Sequence, residues 1–336
     1  MFVGRRAELQ KLNSAYNSGK FECAAVYGRK HIGKTALISE FIRDKNAIYF
    51  SARELTDRYN LDAFGKSVAN HFATSNDSIS SWQDALTAIS AHIGNKRLVL
   101  AIDNYSDACL TNKELGLIIA EAIEDYFLGS RLFIILCCGQ MPAFEREVLD
   151  EKSPLCKYVT CRLNLKGLSF EEAEAFMSGF SLKARQRLYD CIGGTPLYLS
   201  MLDSNKTADE NIADLFLKSN GFLYNDIAMA LQKELIGPAV YNSILRAIAY
   251  GNHKSKEILN ETGEERGKVH KYLNVLIAMD VLYREVPEGE DPAISRRGMY
   301  YFSDKAYCFW YRYVLDNRDF IARGYDPYRI EGWQTE

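Results

Sequence analysis

One eight-residue stretch has the composition and spacing of a phosphate-binding loop. Residues 28–35, Gly-Arg-Lys-His-Ile-Gly-Lys-Thr, match the pattern G-x-x-x-x-G-K-[ST] in full, between an apolar run and a helical pattern. In such loops backbone N–H groups surround the phosphates, the lysine reaches the β- and γ-phosphates, and the threonine binds Mg²⁺. The sequence therefore predicts that the phosphates of a nucleotide bind here with Mg²⁺. The predicted nucleotide-binding residues are Gly28, Arg29, Lys30, His31, Ile32, Gly33, Lys34, Thr35 and Ala36.

Few other polar residues are placed to take part in phosphate chemistry. Asp103 ends an apolar run and is the expected acid for Mg²⁺, together with Thr35. The next residue is Asn104, where nucleotide-hydrolysing proteins usually carry a second acid; an amide can orient water but cannot act as a base. Gln140 follows the apolar run expected to lie beside that of Asp103, and it either contacts the γ-phosphate or is simply a solvated strand end. The predicted catalytic residues are Lys34, Asp103, Asn104 and Gln140.

Apolar runs and helical patterns alternate through the first half of the chain. Strands are predicted at 21–28, 47–52, 97–103, 131–139 and 158–168, and helices at 7–18, 34–45, 61–73, 82–93 and 113–127. Such alternation is typical of a parallel sheet with both faces covered by helices. The sequence therefore predicts an α/β P-loop domain over residues 1–168.

The second half of the chain has a different pattern. Ser169 and Glu172 have the spacing of a capping box, and only helical patterns follow, which predicts a helical subdomain at 169–235. Helices at 239–251, 254–263 and from 264 onward, followed by a hairpin, predict a winged helix-turn-helix within 236–336. The aromatic-rich segment 307–321 is expected to be a core helix, and 322–336 a tail or linker.

The predicted winged helix carries cations that suit contact with DNA phosphates. These residues are Arg266, Lys268, His270, Lys271, Arg296 and Arg297. Acidic residues occupy the same elements, namely Glu264, Glu265 and the segment 288–291, so this domain is close to neutral. DNA and a protein partner therefore both remain open as what the domain contacts.

Overall composition excludes several other classes of protein. The net charge is −3, with 47% hydrophobic and 25% charged residues, so no global charge attracts nucleic acid or acidic lipid. The eight cysteines include no CxxC pair and no zinc-type spacing, which favours reduced thiols. We find neither a targeting segment nor an apolar run that would cross a membrane, and we expect a cytoplasmic protein.

Several segments resemble one known family in order along the chain. FVGRRAEL, YGRKHIGKT, LAIDN, KSPL, LKGLSFEEA and GGTPLYL are similar to the prokaryotic AAA+-related, STAND-type ATPases, and the layout is similar to archaeal replication-initiator ATPases. The resemblance implies an ATPase core with a helical lid and a winged helix, and assembly into nucleotide-dependent oligomers. It also implies that Phe2, Val3, Gly4 and Arg5 lie beside the adenine and that Pro196 closes over the nucleotide from the lid.

The chain departs from the family pattern at positions that assist ATP hydrolysis in relatives. Relatives usually carry glutamate at the position of Asn104 and serine at that of Gln140, and glycine with two arginines where this chain has residues 156–159. Many relatives also continue into a nuclease-like domain. We therefore expect an ATP-binding switch with weak hydrolysis, since loss of an arginine finger alone costs about 10³–10⁵ in rate. An active ATPase, in which Lys157, Arg162 or a partner's arginine compensates, remains an alternative. So does a DNA-binding regulator or protein scaffold with structural nucleotide.

Overall fold

The expected parallel sheet is present. The computed structural model describes residues 2–75, 79–139, 141–234, 237–291 and 294–334. Within them, five parallel strands form one sheet in the order β2-β3-β4-β1-β5. The strands are β1 (Glu22–Tyr27), β2 (Ala47–Ser51), β3 (Leu98–Asp103), β4 (Leu132–Cys138) and β5 (Cys161–Asn164). The α/β class predicted from the sequence is confirmed, although β5 is shorter than the predicted segment 158–168.

Helices connect the strands and cover both faces of the sheet. They are α1 (Arg6–Asn17), α2 (Lys34–Ile42), α3 (Asp57–Phe72), α4 (Trp82–Ile93), α5 (Tyr105–Thr111), α6 (Leu115–Ala122) and α7 (Met141–Phe144). Wider π-helical turns extend α6 to Phe127 and α7 to Leu149. Helices α5 and α7 were not predicted from the sequence, because each is too short to give a clear helical periodicity.

The central strands are buried because nearly every one of their side chains is apolar. Strands β3 and β4 are buried at every position. Alternate residues of each strand join two separate apolar clusters, one on each face, as Ile134 and Ile135 of β4 do. A sheet covered on both faces leaves its strand ends as the place for polar chemistry, and here Asp103 ends β3 and Asn104 follows it.

The chain divides into two compact units, residues 1–166 and 167–336. The first predicted domain boundary, at 168, lies close to this division. The second predicted boundary, at 235, falls on residues outside the described ranges, so the separation of a helical lid from a winged helix stays a prediction. No helix in the described ranges combines the length and the apolar character needed to cross a bilayer.

The second unit begins with helices and ends with a hairpin and further helices. The helices are α8 (Phe170–Ala173), α9 (Leu182–Ile192), α10 (Pro196–Leu199), α11 (Ala208–Phe216), α12 (Phe222–Glu234), α13 (Pro238–Ala249), α14 (Ser255–Thr262), α15 (Arg266–Ala278), α16 (Lys305–Phe309) and α17 (Arg318–Ala322). Antiparallel strands β6 (Leu282–Glu285) and β7 (Met299–Phe302) form the hairpin. The capping box at α8 is confirmed, because Ser169 Oγ accepts from the Glu172 N–H and Glu172 accepts from the Ser169 N–H.

The C-terminal segment is packed, and its prediction as a tail or linker was wrong. The side chain of Trp333 is fully buried and its Nε1 donates to the carbonyl oxygen of Pro327, while Ile330 is 3% exposed. Both residues join the apolar cluster of the second unit. Two large apolar side chains among polar neighbours give no helical or strand periodicity, which is why the sequence pattern did not reveal this packing. The predicted core role of 307–321 is confirmed, since Trp310, Tyr311 and Val314 are buried.

Candidate nucleotide site

The glycine-rich segment connects β1 to α2 through a turn with several positive φ angles. Gly28 follows the strand with φ 154°, and Gly33 precedes α2 with φ 91°. A Cβ atom on Gly28 would lie 2.5 Å from the carbonyl oxygen of Leu165, so only glycine fits this contact. His31 also has a positive φ, 67°, which is uncommon for a residue with a side chain. The segment leads directly into the N-terminus of α2, where the free backbone N–H groups of the helix favour binding of an anion.

Lys34 is the first residue of α2, and its side chain folds back over the loop. Its Nζ donates to the carbonyl oxygens of Gly28 at 3.0 Å and Arg29 at 2.8 Å. The end of β4 is also close, since a Cβ atom built on Gly139 would lie 3.1 Å from Lys34 Nζ. The sheet order thus places the ammonium group beside both the loop and the tip of β4, where it can meet a terminal phosphate.

Thr35 and Asp103 supply two oxygen donors that are already in contact. Thr35 Oγ1 donates a 2.6 Å hydrogen bond to Asp103 Oδ2, and Asp103 is 1% exposed at the end of β3. A hydroxyl that donates its proton to a carboxylate keeps its oxygen lone pairs for a metal. Hydroxyl and carboxylate oxygens are the hard ligands that Mg²⁺ prefers, alongside nucleotide phosphates. The chemistry of these donors therefore fits the predicted Mg²⁺.

Tyr49 in β2 is a residue of this site that the sequence analysis missed. Its hydroxyl donates a 2.9 Å hydrogen bond to Asp103 Oδ2, the oxygen that Thr35 also contacts. Burial, and then the negative charge of Asp103, raises the pKa of the Tyr49 hydroxyl. Burial, followed by the same charge, raises the pKa of the Cys137 thiol. The sequence signal that could have found Tyr49 is its position in the strand. Side chains alternate between the two faces of a strand, so Tyr49 lies on the face opposite to Ile48 and Phe50, which are buried.

Asn104 lies directly after Asp103 in a left-handed backbone conformation with φ 53°. Its backbone N–H donates to Asp103 Oδ1 at 2.9 Å. Its side-chain amide donates to Ser51 Oγ at 3.2 Å and to the Ala52 carbonyl oxygen at 3.4 Å, both at the end of β2. Asparagine tolerates this backbone conformation better than glutamate does. Asn104 thus has a structural role at this position. Its side chain has no basic group that could accept a proton from water.

Arg5 connects the N-terminal segment to the phosphate-binding loop. It is 4% exposed, and its guanidinium donates to the carbonyl oxygens of Ile32 at 2.9 Å and Lys166 at 2.6 Å. Phe2 packs against the apolar cluster that contains Ile32. Val3 and Gly4 are half-buried in the same segment. Arg5 therefore adjoins the loop, and the contact of Phe2, Val3, Gly4 and Arg5 with adenine stays a prediction.

Three further residues were considered for catalysis, namely Gln140, Lys157 and Arg162. Gln140 lies outside the described residues. Lys157 Nζ pairs with Glu124 Oε1 at 2.6 Å, and an Arg162 N–H donates to Cys156 Sγ at 3.4 Å. Neither cation contacts the loop through these interactions.

The remaining predicted site residues belong to the second unit. Pro196 is half-buried at the first position of α10, after the fully buried Thr195. Among the predicted DNA-contact residues, Lys268 pairs with Glu264 at 2.7 Å. The exposed cations on α15 are Arg266, Lys268 and Lys271, and those in the segment between β6 and β7 are Arg296 and Arg297. His270 is half-buried, and its Nε2 lies 3.3 Å from Ser255 Oγ. Arg297 also pairs with Glu290.

Comparison with known proteins agrees with this site. The model of a family described as an ATPase domain predominantly from Archaea matches residues 2–202. A protein of Methanocaldococcus jannaschii without an assigned function is 27% identical over 325 residues, which are 96% of this chain and 71% of that protein. An ATP-binding protein of the same organism is 42% identical over 45 residues, which are 13% of this chain and 76% of that protein.

Solved structures share the fold at low sequence identity. The Walker-type ATPase of Pyrococcus abyssi aligns with a TM-score of 0.71 at 15% identity, covering 92% of this chain and 96% of that one. The ORC2 protein of Aeropyrum pernix, solved in complexes with ADPNP and ADP, aligns with a TM-score of 0.60 at 13% identity, covering 91% and 92%. These similarities establish a P-loop NTPase fold.

Proposed function

Because this chain belongs to the family of ATPase domains found predominantly in Archaea, we propose that it is an ATP-dependent switch of the STAND type. It binds ATP with Mg²⁺ and hydrolyses it slowly. The observation that carries the proposal is the contact of Thr35 with Asp103 beside the loop that holds Lys34. These three side chains are the cation, the hydroxyl and the acid that a P-loop ATPase uses on its phosphates.

Each of these side chains has a defined role in binding. Lys34 exchanges its contacts with the loop carbonyl oxygens for the β- and γ-phosphates, and its charge offsets theirs. Thr35 and Asp103 hold Mg²⁺, which neutralises charge on the phosphate oxygens when it is bound. Phe2, Val3 and Gly4 contribute the adenine side of the site, whereas Arg5 supports the loop through the carbonyl oxygen of Ile32.

Slow hydrolysis follows from the chemistry at position 104. The Asn104 amide has no basic group for a proton of the attacking water, and its hydrogens are engaged by Ser51 and Ala52. Slow turnover gives the bound nucleotide time to act as a signal. ATP then favours one arrangement of the protein over another, because its affinity for the two arrangements differs.

Nucleotide titration with the purified protein tests the proposal. We expect calorimetry to detect ATP and ADP binding with Mg²⁺, and Lys34→Ala to weaken it about 100-fold, since it removes charge-assisted hydrogen bonds worth about 1.5–3 kcal/mol each. Lys11→Ala, on the exposed surface of α1, is the matched control. Turnover should stay below about 0.01 s⁻¹. Failure of the unaltered protein to bind nucleotide would contradict the proposal; turnover near the ordinary enzyme value of about 10 s⁻¹, lost in Lys34→Ala, would favour an active ATPase.

A second candidate function is DNA contact by the predicted winged helix. It is favoured by the exposure of Arg266 and Lys271 on α15 and of Arg296 beside the hairpin. Affinity for duplex DNA measured across a salt series should then fall with salt, and alanine at all three positions should flatten the slope by about 0.9 for each phosphate that is no longer neutralised. Lys183→Ala, on the exposed surface of α9, is the control. Absence of binding at low salt would favour a protein partner instead.

A further inference from the structure

The carboxylate of Asp103 is held by three donors, two of which come from separate elements. Thr35 of α2 and Tyr49 of β2 both donate to Oδ2, at 2.6 Å and 2.9 Å. The N–H of Asn104 donates to Oδ1 at 2.9 Å. At 1% exposure, Asp103 depends on these donors in place of water. Both oxygens are therefore fixed, and with them the plane of the group.

Strand pairing explains how Tyr49 reaches this position. Strands β2 and β3 pair in parallel, with Tyr49 opposite Ala101 and Ser51 opposite Asp103. A tyrosine two residues before the strand end can extend its ring toward the residue at the tip, and the alanine opposite it leaves space for the ring. A neutral tyrosine hydroxyl can donate one hydrogen bond, and here it donates to Asp103 Oδ2.

We propose that Tyr49 is a positioning residue for the Mg²⁺ site, acting through Asp103; this rests on the proposed nucleotide-binding function. Thr35 has to serve the metal with its oxygen while its proton stays on Asp103. Without Tyr49, the hydroxyl that holds Oδ2 would be that of Thr35, which is also expected to bind the metal, while the Asn104 N–H holds Oδ1. The Tyr49 hydroxyl gives Oδ2 a second donor that does not bind the metal, and it keeps the carboxylate in place.

Removal of one hydroxyl separates this role from general support of the fold. Tyr49→Phe keeps the ring and its packing but removes the donor to Asp103. Tyr16→Phe is the matched control, because Tyr16 packs in the same apolar cluster and its ring contacts Phe41. Affinity for ADPNP, a nucleotide analogue that resists hydrolysis, is measured by calorimetry with Mg²⁺ and with EDTA. The readout is the factor by which Mg²⁺ improves affinity.

We expect Tyr49→Phe to reduce the Mg²⁺ enhancement about tenfold, equivalent to about 1.4 kcal/mol, and to leave affinity in EDTA unchanged. Tyr16→Phe should keep both values. In an Asp103→Asn background, Tyr49→Phe should have no additional effect, because the group it positions is gone. The EDTA measurement also reports that each variant is folded.

Two results would overturn the proposal. One is an unchanged or larger Mg²⁺ enhancement in Tyr49→Phe, including an equal loss of affinity with Mg²⁺ and with EDTA. The other is a further loss of the enhancement when Tyr49→Phe is added to Asp103→Asn. Absence of ADPNP binding by the unaltered protein is a different outcome, which contradicts the proposed function itself. The two failures are therefore distinguishable.

Discussion

Thr195 Oγ1 donates a 2.6 Å hydrogen bond to Asp304 Oδ2, and both residues are buried. The two residues are 109 positions apart, in the turn before α10 and at the start of α16. Asp304 Oδ1 also accepts from the N–H of Ala306, and a Cβ atom on Gly193 would lie 2.3 Å from that oxygen. The Gly-Gly-Thr-Pro turn of the predicted lid is thus tied to a helix that follows the hairpin of the predicted winged helix.

A shared apolar core supports the same connection. One cluster of buried side chains runs from Leu168 to Trp333 and includes residues of both predicted parts, such as Ile192 and Leu273. Side chains in such a core are closely packed, so displacement of one part is resisted by the other. The turn before α10 and the start of α16 therefore belong to one packed unit.

Replacement of Thr195 by valine is expected to destabilise the second unit. The buried carboxylate of Asp304 loses a donor, which costs about 1–3 kcal/mol in the free energy of unfolding. Urea unfolding followed by tryptophan fluorescence measures the change, because two of the three tryptophans, Trp310 and Trp333, lie in this unit. Ser200→Ala, which removes an exposed hydroxyl, should stay within about 0.5 kcal/mol. Equal stability of the two variants would show that the buried contact contributes little.

Asn104→Glu is expected to raise ATP turnover about tenfold or more, because it supplies a general base beside Asp103. The left-handed backbone at this position disfavours glutamate, so stability should fall by about 1–2 kcal/mol. Steady-state phosphate release and thermal unfolding measure the two effects. The gain should vanish when Lys34→Ala is added. Unchanged turnover with normal nucleotide affinity would show that this position does not limit hydrolysis.

Arg5→Ala separates support of the loop from contact with adenine. Because Arg5 donates to the carbonyl oxygens of Ile32 and Lys166, we expect affinity for ATP and for inorganic tripolyphosphate to fall by the same factor, about tenfold. Competition titrations give both affinities. Arg6→Ala, at the exposed neighbouring position, is the control. A loss confined to ATP would instead indicate that Arg5 acts on the adenine.

Thiol labelling tests the buried cysteines. Burial raises the pKa of Cys23 and of Cys109 to about 12, so their reactive thiolates are scarcer at pH 8 than those of an exposed cysteine. In the native protein only the half-buried cysteines, Cys156, Cys161 and Cys308, should react rapidly with a thiol reagent. All eight should react in urea. Rapid native labelling of Cys23, identified by mass spectrometry, would contradict the packing of β1.

The raised cysteine pKa values also set a direction for stability at alkaline pH. A group with a folded pKa above its unfolded value stabilises the folded state below the unfolded pKa and loses that contribution as pH rises through the folded pKa. For Cys23 this interval runs from about 9 to about 12. The free energy of unfolding should therefore decrease across it in equilibrium unfolding measurements, and Cys23→Ala should show a smaller decrease. An identical pH dependence in both proteins would argue against a buried neutral thiol.

Local sequence patterns determined the loop, the apolar strands and the capped helix at Ser169. Each depends on residues a few positions apart: the spacing of two glycines before Lys34, an uninterrupted apolar run such as β4, and a serine three residues before Glu172. These patterns reflect the spacing of apolar residues in strands and helices and the capping of free N–H groups at a helix N-terminus. They can therefore be recognised without knowledge of the fold.

Only the tertiary structure decided which distant side chains meet. The strand order brings Tyr49 to Asp103 across 54 residues and Thr35 to the same carboxylate across 68. It also brings Gly139 beside Lys34, and a separate core buries Trp333. Contacts at such separations depend on how the strands and helices assemble. The spacing of apolar residues within one strand or helix carries no information about the order of the strands in the sheet. The sequence thus identified the chemistry of the site, and the assembled sheet determined how its carboxylate is held.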